Sequence, residues 1–174
     1  RQVANISMKD AAFIPIGSEQ APFSGSYDGN GYSISDLTVE STDERKYIAL
    51  FGCSTGTVSN VKIKNFSISN TSTFGNAYSA ALVAYNKGTV KDCHVNADVS
   101  AKTLAEGTFA FSGGLAAISP SFSIRNCSFS GEVYSKVSDI DSYAYSGGIS
   151  ASGYGAENCQ NYGTIRAEGA ASSD

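Results

Sequence analysis

Ala49 to Gly52 reads ALFG, and the same stretch returns in altered form as ALVA at 81–84, GLAA at 114–117 and GISA at 148–151. From Leu50 to Leu82, to Leu115 and to Ile149 the steps are 32, 33 and 34 residues. A near-constant period of this size marks one supersecondary unit stacked on copies of itself, which is the signature of a solenoid. After each aliphatic residue a second string recurs: GTVSNV (56–61), GTVKDC (88–93), FSIRNC (122–127) and YGAENC (154–159). A short alternating stretch then closes each copy: KNFSIS, NADVSA, SGEVYS and YGTIRA. Apolar residues alternate with a period of two and form no helical stripe at i, i+3, i+4, so the units are built of strands.

Several features favour a parallel β-helix over other all-β repeats. A propeller blade needs about 40 to 45 residues and internal hairpins, and these copies are shorter. Gly, Asn and Asp separate the strands, which suits a chain that turns a corner onto the next face. Stacking at about 4.8 Å lays like residue on like residue. The crossover rule makes the expected coil right-handed. The sequence therefore predicts an all-β, right-handed single-stranded parallel β-helix of about four to five coils. Its divisions are a turn-rich coil over 1–44, repeats over 45–78, 79–111, 112–145 and 146–169, and a tail over 170–174. The start at Arg1 and the uncapped tail suggest a piece of a longer chain.

Composition fits this reading. Only 16% of the 174 residues are charged, against an average of about 25%. There are 18 glycines, one methionine and no tryptophan, as tight corners and narrow coils require. A net charge of −4 and scattered Lys and Arg exclude a phosphate-neutralising stripe, so no nucleic-acid partner is expected. No apolar run is long enough for a membrane span. A monomer is expected.

Cys93, Cys127 and Cys159 fall at one position of the repeat, where the first copy has Val61. A position shared by Val and Cys reads as a small apolar core site. Three thiols in a file lack the fourth ligand and the paired spacing of a zinc site, so no metal is expected, and no cofactor. Cys53 shares a different file with Tyr85, Ile118 and Ser152 and should be unpaired. Asn60, Asp92, Asn126 and Asn158 precede the cysteine position, where stacked side-chain amides would satisfy corner backbone groups. Gly52, Ala84, Ala117 and Ala151 form a file of small residues two positions after each aliphatic, expected on the same face, where a bulkier residue would overpack.

Near the start, FSGSYDGNGYSISDLTV (23–39) packs Asp28, Gly29, Asn30 and Gly31 into a dense turn signal, which reads as a tight turn because the further ligands of a calcium loop are missing. This string, followed by ALFG and then GTVSN, resembles the GLUG-motif repeat proteins, found in bacterial surface adhesins and in the stalk regions of immunoglobulin A proteases. The resemblance spans about Phe13 to Arg166, with Ala84, Ala117 and Ala151 standing where the family has its final glycine. It implies a secreted or cell-surface bacterial solenoid used for attachment or as a spacer, and it carries no catalytic residues over to this chain.

Chemistry-bearing residues are few. His94, the single histidine, follows Cys93 on a strand, so the two side chains leave on opposite faces and make no dyad. HExxH is absent. Asp98 and Glu132 stand at near-equivalent positions, about 5 Å apart on an outer face by strand stacking, and would be the carboxylate pair of a polysaccharide lyase or glycoside hydrolase. An ice-binding file of Thr57, Thr89 and Thr164 is broken in the third coil.

The aromatics are the preferred ligand candidates. Tyr78, Phe111 and Tyr145 lie four residues before each aliphatic, with Phe109 and Tyr143 two further back. Parity with Leu82, Leu115 and Ile149 sends them into the core if the strand is continuous. A break at Gly113 and Gly147 would instead turn them outward as a platform for sugar rings or a partner, with Asp139 and Asp141 as its polar rim. The inserts 41–47, 70–78, 101–108 and 135–142 supply the expected contact loops. Together these residues predict a non-catalytic extracellular or cell-surface domain that binds a host or matrix glycan or protein, with a bare spacer and a carbohydrate-active enzyme as the alternatives.

Overall fold

The computed structural model describes residues 1–42 and 46–170. Asp43 to Arg45, within the first insert, and Ala171 to Asp174, within the tail, lie outside the described residues. Among the described residues there is no helix. Every strand pairing is parallel, and the chain winds as a β-solenoid of about five turns.

Each full turn visits four sheets. Sheet I has nine strands, the long ones being Lys62–Ser72 and His94–Thr103. Sheet II stacks Tyr47–Ile48, Ala77–Ala80, Phe109–Gly113 and Tyr143–Gly147. Sheet III stacks Phe51–Ser54, Val83–Asn86, Ala116–Ser119 and Ser150–Gly153, and sheet IV stacks Ser26–Asp28, Thr57–Ser59, Thr89–Lys91 and Ile124–Arg125. Registers are those of the repeat: Val83 lies between Phe51 and Ala116, and Val90 between Val58 and Ile124.

The main core sits between sheets III and IV and the first half of sheet I. It holds Leu50, Leu82 and Leu115 with Val58, Val90, Ile124, Phe66 and Phe129, all of them buried. Beyond it the second half of sheet I projects as an arm and the chain doubles back as sheet II. Between arm and sheet II lies a thin layer of Ala77, Ala101, Ala110, Val137 and Ala144. Alanine at these sites sets the spacing, because a longer side chain would hold the two sheets apart.

Two corners carry the turns of the winding. Asn60, Asp92, Asn126 and Asn158 all adopt left-handed backbone angles, φ 53, 56, 53 and 53°, a region that Asn and Asp tolerate better than other non-glycine residues. Their side chains hydrogen-bond along the axis: Asn60 donates to Asp28, Asn126 to Asp92 and Asn158 to Asn126. A second left-handed file crosses the middle of sheet I at Asp36, Asn65 and Gly131, φ 62, 58 and 115°. It bends the long strands, and the register of Lys62–Ser72 against His94–Thr103 shifts there.

The predicted cysteine file is present, with Cys93 and Cys127 buried and Cys159 partly buried, and it has an added role. The Cys93 N–H donates to Cys127 Sγ at 3.4 Å and the Cys127 N–H to Cys159 Sγ at 3.4 Å. Val61 N–H bonds the Cys93 thiol in the same way. The thiols in turn donate to the carbonyls of Lys91 and Arg125 at 3.1 and 3.0 Å. Each sulfur thus satisfies a corner amide that no strand reaches. All four cysteines are free thiols. Cys127 is held well above the ordinary thiol range by its bond with the Cys93 thiol and by burial, and burial pushes Cys53 up to about 11.

One expectation fails. Leu82 and Val83 both point into the main core, whereas Ala84 and Ala117 pack with Ala49, Ala80 and Tyr78 in a separate cluster. The small-residue file is therefore not on the face of the aliphatic file. Ala81 and Leu82 form a two-residue corner between sheets II and III, and the period-two parity does not carry across it.

Candidate functional site

The same corner decides where the aromatics go. In AYSA, AFSG and AYSG (77–80, 110–113, 144–147) the first and third residues face the arm: Ala110 is fully buried there, and the Ser112 hydroxyl donates to the Tyr134 carbonyl of sheet I at 2.7 Å. Tyr78, Phe111 and Tyr145 alternate with them and so project from the opposite face of sheet II, away from the main core. The inward placement is overturned because the chain turns between the aromatic and the aliphatic of each coil.

Outside, the rings form a ladder in the notch between sheets II and III. Tyr47, Tyr78, Phe111 and Tyr145 follow one another with centroids 4.9, 5.1 and 4.8 Å apart, the last two pairs within 3° and 8° of parallel. Phe109 and Tyr143 stack at 5.8 Å as a shorter second file. Tyr85 joins Tyr47 at 5.6 Å, and the Lys46 ammonium lies 5.1 Å from the Tyr47 ring and 5.3 Å from that of Tyr78. This geometry rules against a flat sugar platform. A pyranose binds the face of a ring, and here each interior face is covered by the ring of the next coil, leaving edges to solvent. The ladder adds stacking energy to sheet II, about 0.5–1.5 kcal/mol per pair beyond area burial. Exposure rises toward the last coil, from 6% at Tyr78 to 40% at Tyr145 and 58% at Tyr143.

Asp139 and Asp141 are not a rim for these rings. Asp139 Oδ2 accepts from the Gly107 N–H, the Asp141 N–H and the Ser142 hydroxyl, at 3.1, 3.1 and 3.0 Å. The Gly107 amide, first among these, holds its carboxyl below the ordinary aspartate range. Asp139 thus ties one turn to the turn of the preceding coil, and Asp141 is exposed.

The expected loops are shorter than the sequence suggested, since the strands of sheet I run on to Ser72, Thr103 and Val137. What remains is three turns, 73–76, 104–108 and 138–142, on one edge. They are stitched together: Phe109 N–H donates to Asn76, Thr103 hydroxyl to the Gly75 carbonyl, Thr108 N–H to Ser142. Each turn carries a large apolar side chain in solvent, Phe74 at 83%, Leu104 at 44% and Ile140 at 67% exposure. Sequence reasoning passed over these three because no period aligns them.

Asp98 and Glu132 do lie together on the outer face of sheet I, but the Asp98 carboxylate is engaged by the Glu132 N–H at 3.0 Å. They line a concavity of about 460 Å³ with Ser69, Ser100, Tyr134 and Arg166, in the bend made by the mid-strand file. His94 is exposed and pairs with the Ser128 hydroxyl at 2.8 Å. The threonine file is dissolved: Thr57 and Thr89 pair in sheet IV, while Thr164 lies against Glu132 in sheet I. Among the described residues no group of His, Cys, Asp and Glu could hold a metal ion, and no helix is long and apolar enough to cross a membrane.

No family model matches the chain, and no curated protein matches it. Among solved structures it is similar to the crystal structure of a putative immunoglobulin A1 protease from Bacteroides ovatus, with a TM-score of 0.55 at 16% identity, over 94% of this chain and 69% of that one. At this identity the likeness is one of fold.

Proposed function

We propose that this chain is a non-catalytic stalk-like or adhesin-type domain of a secreted or cell-surface bacterial protein, and that it meets a protein partner along its turn edge. The carrying observation is the row of Phe74, Leu104 and Ile140, one exposed apolar side chain on each of three successive turns. Exposed apolar groups on a rigid, hydrogen-bonded backbone lose little entropy when covered, which favours their use in contact. The backbone here is rigid by the turn-to-turn bonds already described. A protein surface suits this edge better than a glycan, because aliphatic tips offer neither a flat ring face nor a set of hydroxyl partners. The fold likeness to a putative immunoglobulin A1 protease is in keeping with a secreted setting, as is the resemblance of 23–39 to the GLUG-motif proteins.

The test is surface plasmon resonance of the purified domain against immobilised fibronectin, collagen, immunoglobulin A and mucin. The triple variant Phe74→Ser, Leu104→Ser, Ile140→Ser should lose binding while keeping the melting profile. Binding unaffected by the triple variant would overturn the assignment of the edge. Cleavage of immunoglobulin A or of a polysaccharide by the purified domain would overturn the non-catalytic reading.

A further inference from the structure

We propose that the concavity on the outer face of sheet I binds a neutral oligosaccharide, with a pyranose ring stacked on Tyr134. The residues come from four consecutive coils in register. Ser69 pairs with Ser100, Ser100 with Tyr134, and Tyr134 with Arg166. The Arg166 guanidinium lies over one face of the Tyr134 ring at 5.5 Å. On the other side the in-register residues are serines, too short to cover a ring, so that face of Tyr134 looks onto an open shelf. This is the arrangement the ladder of sheet II lacks: an aromatic face with nothing stacked upon it.

The shelf is also held in place. Tyr134 Oη donates to Glu168 at 2.7 Å, and the same carboxylate receives Lys136 at 2.7 Å and Arg166 at 3.2 Å. A ring fixed at its hydroxyl presents its face without further ordering cost. Along the shelf the hydroxyls of Ser69 and Ser100 and the carboxylates of Asp98 and Glu132 offer hydrogen-bonding groups to sugar hydroxyls. The coil repeat of about 4.8 Å is close to the length of one pyranose in an extended chain, so successive coils meet successive sugars. A volume of about 460 Å³ has room for a short oligosaccharide. Charge selects the class: two carboxylates face one guanidinium that is already shared with Glu168, so uronates and sialylated sugars are repelled.

Isothermal titration and amide chemical-shift mapping of the full domain test this with hexaoses of glucose, mannose, galactose and N-acetylglucosamine, beside oligogalacturonate. At least one neutral hexaose should bind and shift the amides of Ser100, Glu132 and Tyr134. Tyr134→Ala should weaken it about tenfold or more, and Tyr134→Phe by less than about threefold, since the ring face is what matters. Ser100→Trp, which fills the shelf from an outward position, serves as a second block if Tyr134→Ala does not fold. The triple turn-edge variant should bind as wild type, which separates this site from the edge. No neutral hexaose bound, tighter binding of oligogalacturonate, or full affinity in folded Tyr134→Ala or Ser100→Trp would each overturn the proposal.

Discussion

Replacing Cys127 by valine tests what the buried sulfur does. Valine matches the residue at position 61 of the same file and is more apolar than a thiol, so a purely hydrophobic reading predicts a neutral or stabilising change. The hydrogen bonds predict the opposite. Cys127 is 2% exposed and its sulfur accepts the Cys93 N–H at 3.4 Å, so valine leaves that amide buried and without an acceptor. An orphaned buried N–H costs about 1–3 kcal/mol. Sulfur is a weak acceptor, which puts the loss in the lower half of that range. The extra methyl offsets at most about 0.8 kcal/mol. The Arg125 carbonyl loses the thiol donor but keeps the Asp92 N–H at 3.1 Å, so it adds little. The net expectation is a loss of about 1 kcal/mol, or roughly 2–4 °C in melting temperature for a domain of this size.

Val61 explains itself on the same terms. The preceding segment makes a longer turn, in which Gly31 N–H donates to the Asn60 carbonyl and Tyr32 N–H to the Gly29 carbonyl. No amide there seeks an acceptor at position 61, and a hydrocarbon suffices. Val61→Cys should therefore give no gain. The assay is urea unfolding under reducing conditions, with hydrogen exchange at the Cys93 amide, because a solenoid can open coil by coil. A Cys127→Val protein as stable as wild type, with Cys93 equally protected, would refute the role assigned to the sulfur.

Gly88→Ala should cost about 3 kcal/mol or more, since a Cβ there would come within 1.9 Å of the Gly56 carbonyl oxygen of the adjoining coil; chemical unfolding measures it. Asn126→Ala should cost about 1–2 kcal/mol for a left-handed alanine and Asn126→Gly less, since glycine keeps the backbone and loses only the side-chain bonds to Asp92 and from Asn158; the order of the two midpoints is the check. Ala110→Leu should part the arm from sheet II at about 1–3 kcal/mol, visible as early loss of amide protection over 109–113. The Lys136 ammonium, then the Tyr134 hydroxyl, hold Glu168 below the ordinary glutamate range. A depressed acid stabilises the fold above its unfolded value of about 4.3 and loses that contribution as pH falls through the folded value. Limited proteolysis of the last coil should accordingly quicken below about pH 4, and Glu168→Gln should remove the pH dependence.

The columns that repeat a residue type were legible from sequence: the aliphatics at 50, 82 and 115, the cysteines, and the Asn and Asp of the corner all stand where the period puts them. The aromatics were not, because parity counts faces only within one strand. Ala81–Leu82 turns the chain with no proline, and only Gly113 and Gly147 hinted at a break in the later coils, a hint that the second coil, with Ala80 at that position, does not repeat. The alternation in AYSA, AFSG and AYSG did hold the answer, with the first and third residues toward the arm and the rings on the other face. The mid-strand bend escaped notice because its file mixes Asp36, Asn65 and Gly131, three residue types that share a backbone conformation and little else. The thiol acceptors could not be read at all, since an N–H to sulfur bond between coils leaves no trace in spacing.

A solenoid of this kind separates the demands of folding from those of recognition. Positions that face inward or turn corners must serve every coil alike, and there the copies agree: Cys over Cys, Asn over Asp, Ala77 beside Ala110 and Ala144. The outer face of sheet I is free of that demand. Its file from Ser69 through Ser100 and Tyr134 to Arg166 changes character at nearly every step, and its neighbour runs Ser67, Asp98, Glu132, Thr164. Because backbone stacking already aligns these residues at fixed spacing, variety along such a file costs the fold little. It produces a graded surface, with hydroxyls at one end and a clamped ring and guanidinium at the other. The saccharide proposed above, laid along the axis, would meet this gradient step by step. If substitutions that even out this file, such as Tyr134→Ser with Arg166→Ser, left stability nearly unchanged yet abolished saccharide binding, the division of labour would be demonstrated; a large loss of stability would place the file among the structural columns instead.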